Sequence, residues 1–280
     1  MNIQLAISEG AKILKENNIS TAILDAEILI SNVIGKDKKY IILNNNEILE
    51  SKKLNIYKEL IKERSKRKPI AYIVNRKFFW KYEFFVTKDT LIPRPDSELL
   101  IEEILKFTRH KNYLNVLDIG IGSGCLLLTI LKERKNFIGT GIDVSKNCLN
   151  ISKINANRLK LNNRVKFYKS DVDKFELGKY DLIVSNPPYI NKSNLKYLER
   201  DVAKYEPKLA LCGGLDGLSE IRKVVKKSSD LIKKNGKFIL EIGFNQKNKT
   251  ISLLKEKGFY INRISRDLGN KDRCIVSTKI

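Results

Sequence analysis

The chain has 280 residues, room for one large domain or two modest ones, and its 42% hydrophobic and 31% charged content excludes a disordered chain and fits a globular core. The formal net charge is +22, from 54 Lys plus Arg against 32 Asp plus Glu; such a field attracts polyanions, but Lys is spread along a chain also rich in Ile and Asn, and the densest basic stretch, residues 62–68, is short. No apolar run approaches the roughly 20 residues that span a bilayer, so no membrane partner is expected.

The first 75 residues read as a small helical domain. Ile3, Ala6, Ile7, Gly10 and Leu14 recur at helical spacing, Ser20 can cap a second helix through Ala22, Ala26, Leu29 and Val33, and Gly35 can stop it. Further helices are expected in the forties and over Leu54 to Arg67. These helices serve either as a packing appendage or as a docking module for a macromolecular partner. Residues 76–95 read as a hairpin and linker, with strands at Phe78–Trp80 and Phe84–Val86 separated by Lys81-Tyr82-Glu83. Pro93 and Pro95 then disfavour helix, and Asp96 or Ser97 can cap a helix through Leu99, Leu100, Ile104 and Leu105.

Over 96–280 the pattern alternates strand and helix. Apolar strands are expected at 114–119, 137–144, 165–168, 182–185, 237–242, 260–264 and 274–278. Alternation of this kind predicts an α/β domain with a mostly parallel sheet covered on both faces, and the late pair of strands predicts an antiparallel end. The N-terminus lacks the basic start, apolar centre and cleavage site of a signal peptide, so a cytoplasmic location is expected. Cys125, Cys148, Cys212 and Cys274 form no C-x-x-C pair and are expected to be reduced. His110 is the single histidine and lies in the polar run 108–112, which argues against a His-based metal site or a Ser-His-Asp hydrolase. No metal is expected.

The first strand of this region ends in Asp118-Ile119-Gly120-Ile121-Gly122-Ser123-Gly124, ahead of a helix from about Cys125 to Glu133. Glycines there allow a sharp turn and close approach of a ligand. The spacing is G-x-G-x-G rather than the G-x-G-x-x-G of a nicotinamide site, and resembles the first motif of class I S-adenosylmethionine methyltransferases. Asp143 ends the second strand, 25 positions beyond Asp118, where a carboxylate can accept from both ribose hydroxyls; the alternative is a surface Asp at a strand end. Asp171 and Val172 end the third strand and can flank an adenine.

A further strand runs into Asn186-Pro187-Pro188-Tyr189. Two prolines remove two backbone donors and fix the chain direction, which leaves carbonyl oxygens, while the Asn186 side chain supplies another acceptor. A planar NH2 group carries two N–H donors, and two acceptors can hold it. Tyr189 offers an aromatic face for a flat substrate group. This chemistry suits methylation of an amide or exocyclic amine, whose nitrogen is a poor nucleophile and gains from positioning and from acceptors that stabilise developing positive charge.

Taken together, these residues resemble the protein-glutamine N5-methyltransferases, specifically the release factor glutamine methyltransferases. The likeness extends through Pro69–Ile73, the hairpin around Phe79-Trp80, Ile92-Pro93-Arg94-Pro95-Asp96-Ser97-Glu98, Tyr205-Glu206-Pro207 and Gly213–Leu218. It implies a class I methyltransferase fold, a Rossmann-like seven-stranded mostly parallel sheet, with a small N-terminal helical domain and a β-hairpin bridge. It implies S-adenosyl-L-methionine as cofactor, held by Gly120, Ile121, Gly122, Ser123, Gly124, Asp143, Asp171, Val172 and Asn186. It implies that Asn186, Pro187, Pro188 and Tyr189 bind the substrate, with Asn186, Pro187 and Tyr189 catalytic. The implied partner is a bacterial peptide-chain release factor, modified on the glutamine of its Gly-Gly-Gln tip. Ile121 and Cys212 depart from the family pattern, where a small polar residue and an aromatic are common, without removing an atom the chemistry needs. N-P-P-Y is shared with adenine-N6 and guanine-N2 methyltransferases, so a nucleic-acid base methyltransferase is the rival, but no added nucleic-acid recognition module is evident. A non-catalytic binding protein would show damage to the glycine loop or N-P-P-Y, and both are intact. Nothing in the sequence demands more than a monomer.

Overall fold

A computed structural model describes residues 1–280. The chain forms two compact units, residues 1–76 with 199–205 and residues 77–198 with 206–280. The elements run α1 (Ile3–Glu16), α2 (Ala22–Ile34), α3 (Lys38–Leu43), α4 (Ser51–Ser65), α5 (Ile70–Ile73), β1 (Arg76–Phe79), β2 (Tyr82–Phe85), α6 (Glu98–Phe107), β3 (Asn115–Ile119), α7 (Cys125–Glu133), β4 (Ile138–Asp143) and α8 (Lys146–Arg158). They continue with β5 (Val165–Lys169), β6 (Tyr180–Ser185), α9 (Arg200–Tyr205), α10 (Ser219–Leu231), β7 (Ile232–Glu241), α11 (Lys247–Glu256), β8 (Phe259–Arg266) and β9 (Asp272–Lys279). No helix is long and apolar enough to cross a membrane.

In the first unit the apolar stripe of α1 is buried as its spacing predicts, through Ile3, Ala6, Gly10 and Leu14. A Cβ on Gly10 would meet the Tyr57 hydroxyl at 2.2 Å, so glycine is what lets α4 lie close to α1. The Asn2 side chain caps α1 by accepting from the Leu5 amide. Thr21, not Ser20, stands at the N-cap of α2, and its hydroxyl is directed to Asp25 instead of the helix amides. Gly35 ends α2 in the left-handed conformation at φ 73°, the role its position predicts. Arg64 of α4 is buried and holds three groups: Asp25 of α2 at 2.7 Å, Asp201 of α9 at 2.8 Å and the Lys68 carbonyl at 3.0 Å. Segment 199–205 therefore belongs to this unit through an ion pair that no local pattern in the sequence announces.

The second unit is a seven-stranded sheet in the order β5-β4-β3-β6-β7-β9-β8. β5 through β7 are parallel neighbours, and β9 runs antiparallel between β7 and β8. All seven expected strands are present with shifted ends. One face packs Leu100, Ile104, Leu127 and Leu131 from α6 and α7, and the other packs Ile221, Val225 and Leu254 from α10 and α11. This is the two-faced burial that a parallel sheet requires.

The hairpin departs from its expected form. Its strands end at Phe79 and begin again at Tyr82, with a two-residue turn at Trp80-Lys81. Trp80 takes φ 57°, a conformation that side chains other than glycine rarely adopt. Tertiary partners hold it there, since its amide donates to Glu98 at 2.7 Å and its indole N–H to Glu133 at 3.1 Å. Read from sequence as part of a linker, residues 77–95 instead pack within the second unit: Phe79 and Phe84 are fully buried in its core, and both backbone groups of Phe85 bond the Asn155 side chain.

Replacing Arg64 by Met should leave Asp25 buried without its cation. The expected loss is about 3–5 kcal/mol of stability, measured by denaturant unfolding of the helical signal. Cofactor affinity of the other unit should be unchanged.

Candidate active site

β3 and β6 are parallel neighbours with Ile119 opposite Ser185. The buried Ser185 hydroxyl donates to the Ile119 carbonyl at 2.7 Å, which ties the two strand ends together. The residues that leave these strands, Gly120 on one side and Asn186 on the other, therefore start next to each other. β4 lies on the far side of β3, so this is the point where strand order reverses, the usual ligand crevice of an open α/β sheet. A cleft of about 520 Å³ opens there.

The glycine turn is held by its surroundings. Gly120, Gly122 and Gly124 all have positive φ, at 77°, 54° and 84°. Added Cβ atoms at Gly120 and Gly122 would meet nothing within 4 Å, and both residues line the cleft, so bare backbone there leaves room for a ligand. The amides of Gly120 and Ile121 donate to the Ile142 carbonyl, and the Gly122 amide to Asp143 at 3.0 Å. Ile121, the apolar departure from the family pattern, fills the gap over Gly141, where an added Cβ would meet its Cδ1 at 2.1 Å. Gly124 opens α7 and has no side chain to cap it; buried Asp118 does so from β3 by accepting from the Leu127 amide. The other Asp118 oxygen has no partner within the chain. Burial is the main reason its carboxyl is pushed up to about 7, with Asp143 adding and the Leu127 amide opposing.

Asp143 stands at the end of β4 with one oxygen on the Gly122 amide and the other on the Ser145 amide. Burial raises its carboxyl above the ordinary range against these two bonds. Each oxygen keeps a lone pair for a ligand hydroxyl. Asp171 begins the turn after β5, accepting from the Asp173 amide, and buried Val172 follows it; both line the cleft. Gly120 to Ser123, Asp143, Asp171, Val172 and Asn186 to Pro188 are thus brought to one cavity, whereas Gly124 and Tyr189 do not line it. Cys125 and Cys148 also line the cleft, and burial pushes both thiols up to about 12, so they are neutral.

Beyond β6 the amide nitrogen of Asn186 donates to the Ser97 hydroxyl at 3.0 Å. Ser97 donates in turn to Glu241 at 2.6 Å, and the Tyr189 hydroxyl donates to the other Glu241 oxygen at 3.3 Å. The Asn186 side-chain oxygen and the Pro187 carbonyl accept no hydrogen bond from within the chain, and both residues line the cleft. Ser97 precedes α6, but its hydroxyl is turned to Glu241 and does not cap the helix. The Tyr189 ring packs against the sheet core, not along the cleft, because its hydroxyl is drawn to Glu241.

Two segments known only by resemblance meet in space. Arg94 pairs with buried Glu206 at 2.5 Å, and Glu206 also accepts from the Ile92 amide. This joins Ile92-Pro93-Arg94 to Glu206-Pro207, and Pro93, Arg94 and Pro207 line the cleft. Gln246 clamps the carbonyls of Tyr189 and Gly217 at 2.9 Å each. Gly213 is closed in by backbone, since a Cβ would meet the Gly217 carbonyl at 2.6 Å and the Pro188 carbonyl at 2.8 Å. Glu241 and Gln246 were outside the expected site; the signal for Glu241 is a lone acid ending the apolar run Phe238–Leu240.

The open cradle, the backbone-anchored acid at the end of β4 and the cavity size fit an adenosyl amino acid. With the sheet order, they define a class I S-adenosylmethionine-dependent methyltransferase. Comparison narrows the class. A model of the PrmC N-terminal domain matches residues 6–74, and one of the methyltransferase small domain matches residues 95–209. The chain is 36% identical to a release factor glutamine methyltransferase of Clostridium acetobutylicum, over 100% of this chain and 99% of that one. It is 36% identical to one of Clostridium botulinum, over 97% of each. A solved methyltransferase from Pyrococcus furiosus shares the fold, with TM-score 0.52 at 18% identity over 70% of this chain and 88% of that one. The chain belongs to the release factor glutamine methyltransferase family.

Asp143→Ala should remove both the anchor of the Gly122 amide and the two acceptors facing the cleft. Titration calorimetry with S-adenosylmethionine should show affinity lower by about 10- to 100-fold, from the loss of one or two hydrogen bonds to a charged group. Unchanged affinity would place the ribose elsewhere.

Proposed function

We propose that this enzyme transfers a methyl group from S-adenosylmethionine to the side-chain amide nitrogen of the glutamine in the Gly-Gly-Gln tip of peptide-chain release factors, and that Asn186 and the Pro187 carbonyl hold that amide. The observation that carries the residue assignment is the orientation of Asn186, whose nitrogen is occupied by Ser97 while its oxygen is left to the cleft. A primary amide presents two N–H donors in one plane, and the Asn186 oxygen and the Pro187 carbonyl are two acceptors from consecutive residues.

Bound in the cleft, S-adenosylmethionine supplies an electrophilic methyl group on a sulfonium. The chain's own contribution is to position and polarise the nucleophile. An amide nitrogen shares its lone pair with its carbonyl; accepting both N–H bonds returns density to the nitrogen and fixes its direction. The same acceptors stabilise positive charge that develops on it. Neither is a strong base, so the nitrogen sheds its proton only after the methyl has moved. Gly120 to Ser123, Asp143, Asp171 and Val172 hold the cofactor in this reading, and Gly124 serves the turn that carries them. Tyr189 acts at one remove, as a donor to Glu241. The helical unit helps dock the factor. Every residue used comes from one chain, and neither a nucleic-acid substrate nor a membrane is required. The substrate places the enzyme in the cytoplasm.

Asn186→Ala should leave cofactor affinity intact and lower kcat by roughly 10²–10³-fold, the usual effect of deleting one preorganised transition-state partner. Turnover is read by mass spectrometry of the factor's tip peptide, and affinity by calorimetry. Loss of cofactor affinity would instead make Asn186 a cofactor ligand.

A further inference from the structure

We infer that Glu241, acting through the Ser97 hydroxyl, selects which end of the Asn186 side-chain amide faces the substrate, so that the enzyme works with Glu241 as a carboxylate. The inference rests on the reading of Asn186 as the substrate's acceptor and adds two positioning residues to it.

The oxygen and nitrogen ends of an Asn side chain are nearly the same size, so packing alone does not choose between them. Proton count does. Ser97 has one hydroxyl proton, and at 2.6 Å it is given to Glu241. The Ser97 oxygen can then only accept, and what it accepts is the Asn186 N–H at 3.0 Å. The Asn186 oxygen is thereby left for a substrate N–H. If Glu241 carries a proton, its O–H can donate to Ser97, and the Ser97 proton becomes available to the Asn186 oxygen. The amide then turns and presents its NH2 to the cleft. Two NH2 groups would face each other, and the substrate would lose an acceptor.

Glu241 is placed to titrate. It ends β7, is 1% exposed, and has no ion pair within 4 Å. The groups around it are Ser97 and Asp96 from the turn before α6, Tyr189 beyond β6, Arg273 on β9, and the thiols of Cys125 and Cys274. Arg273 is the only cation among them, and it is already engaged by Asp267 at 3.0 Å and lies 3.7 Å from Asp96. The two thiols are held neutral by burial. Burial pushes the Glu241 carboxyl up to about 7; the Ser97 bond, Arg273 and Tyr189 oppose this, and Asp96 adds to it. An acid there gains a proton as the pH falls through neutrality.

The test measures kcat at saturating factor and cofactor on both sides of pH 7, for the wild type and for Glu241→Gln. The Gln amide fills the same space and does not titrate, so the carboxylate that fixes the Ser97 proton is absent at every pH. The wild-type kcat should fall as the pH drops below about 7, with cofactor affinity and the KM for the factor unchanged. Glu241→Gln should be level across that range and lower than the wild-type plateau by about 100-fold, the effect of one lost acceptor. A measurement on the wild type alone covers the case in which the variant does not fold. The Asn186 side-chain NH2 resonances, identified by their absence in Asn186→Ala, should shift with a midpoint near 7. A wild-type kcat that stays level through neutral pH overturns the inference, as does Glu241→Gln with wild-type kcat. If the wild type modifies no factor glutamine at any pH, the reading of the function has failed, and not this inference alone.

Discussion

The pairing of β3 with β6 constrains everything at the active site. Ile119 and Ser185 stand in register, and the Ser185 hydroxyl fastens the last peptide of one strand to the last residue of the other. Two loops of different chemistry therefore begin a single strand spacing apart, about 4.8 Å. One is all glycine turn and open backbone; the other is a rigid Asn-Pro-Pro with two free acceptors. A shift of β6 by one residue would exchange the faces of its side chains and carry Asn186 out of reach of Ser97. Val184, fully buried between the helix layer and the sheet, opposes that shift.

Around this junction, buried polar groups satisfy one another and leave outward only what a ligand needs. Asp143 spends one lone pair of each oxygen on backbone amides, Gln246 spends its whole amide on the backbone around Tyr189 and Gly217, and Glu206 joins Ile92 to Arg94. Such networks are stable when every member is satisfied and costly when one is not. One oxygen of Asp118 and the acceptors of Asn186 and Pro187 stand without a partner from the chain near the ends of the same two strands.

Much of this arrangement is legible in the sequence because it is written in local signals. Strand interiors such as Val116–Ile119 and Leu182–Ser185 are continuous apolar runs, and Gly120, Gly122 and Gly124 mark a turn that only bare backbone makes. The less legible parts depend on partners far away in the chain. β7 begins at Ile232, but Lys233, Lys234, Asn235 and Gly236 hide its first half, where the pairing to β6 is irregular and Asn235 has φ 63°. Trp80 turns the hairpin a residue early because Glu98 and Glu133 hold it. Ser97 has the identity and place of a helix cap, yet a carboxylate 144 positions away takes its proton. The same carboxylate draws Tyr189 away from the cleft that its motif suggests it should line. Segment 199–205 reads as part of the catalytic region and joins the helical unit because Arg64 needs a second acid.

The central claim is that the acceptors beyond β6 hold a protein side-chain amide and not a nucleic-acid base. The most direct measurement offers labelled S-adenosylmethionine in parallel with a purified release factor, with the same factor carrying alanine in place of the Gly-Gly-Gln glutamine, and with bulk RNA and DNA. Label should enter the intact factor alone. Label in nucleic acid, with none in the factor, would leave a methyltransferase whose Asn186 and Pro187 hold a base, and would contradict the account.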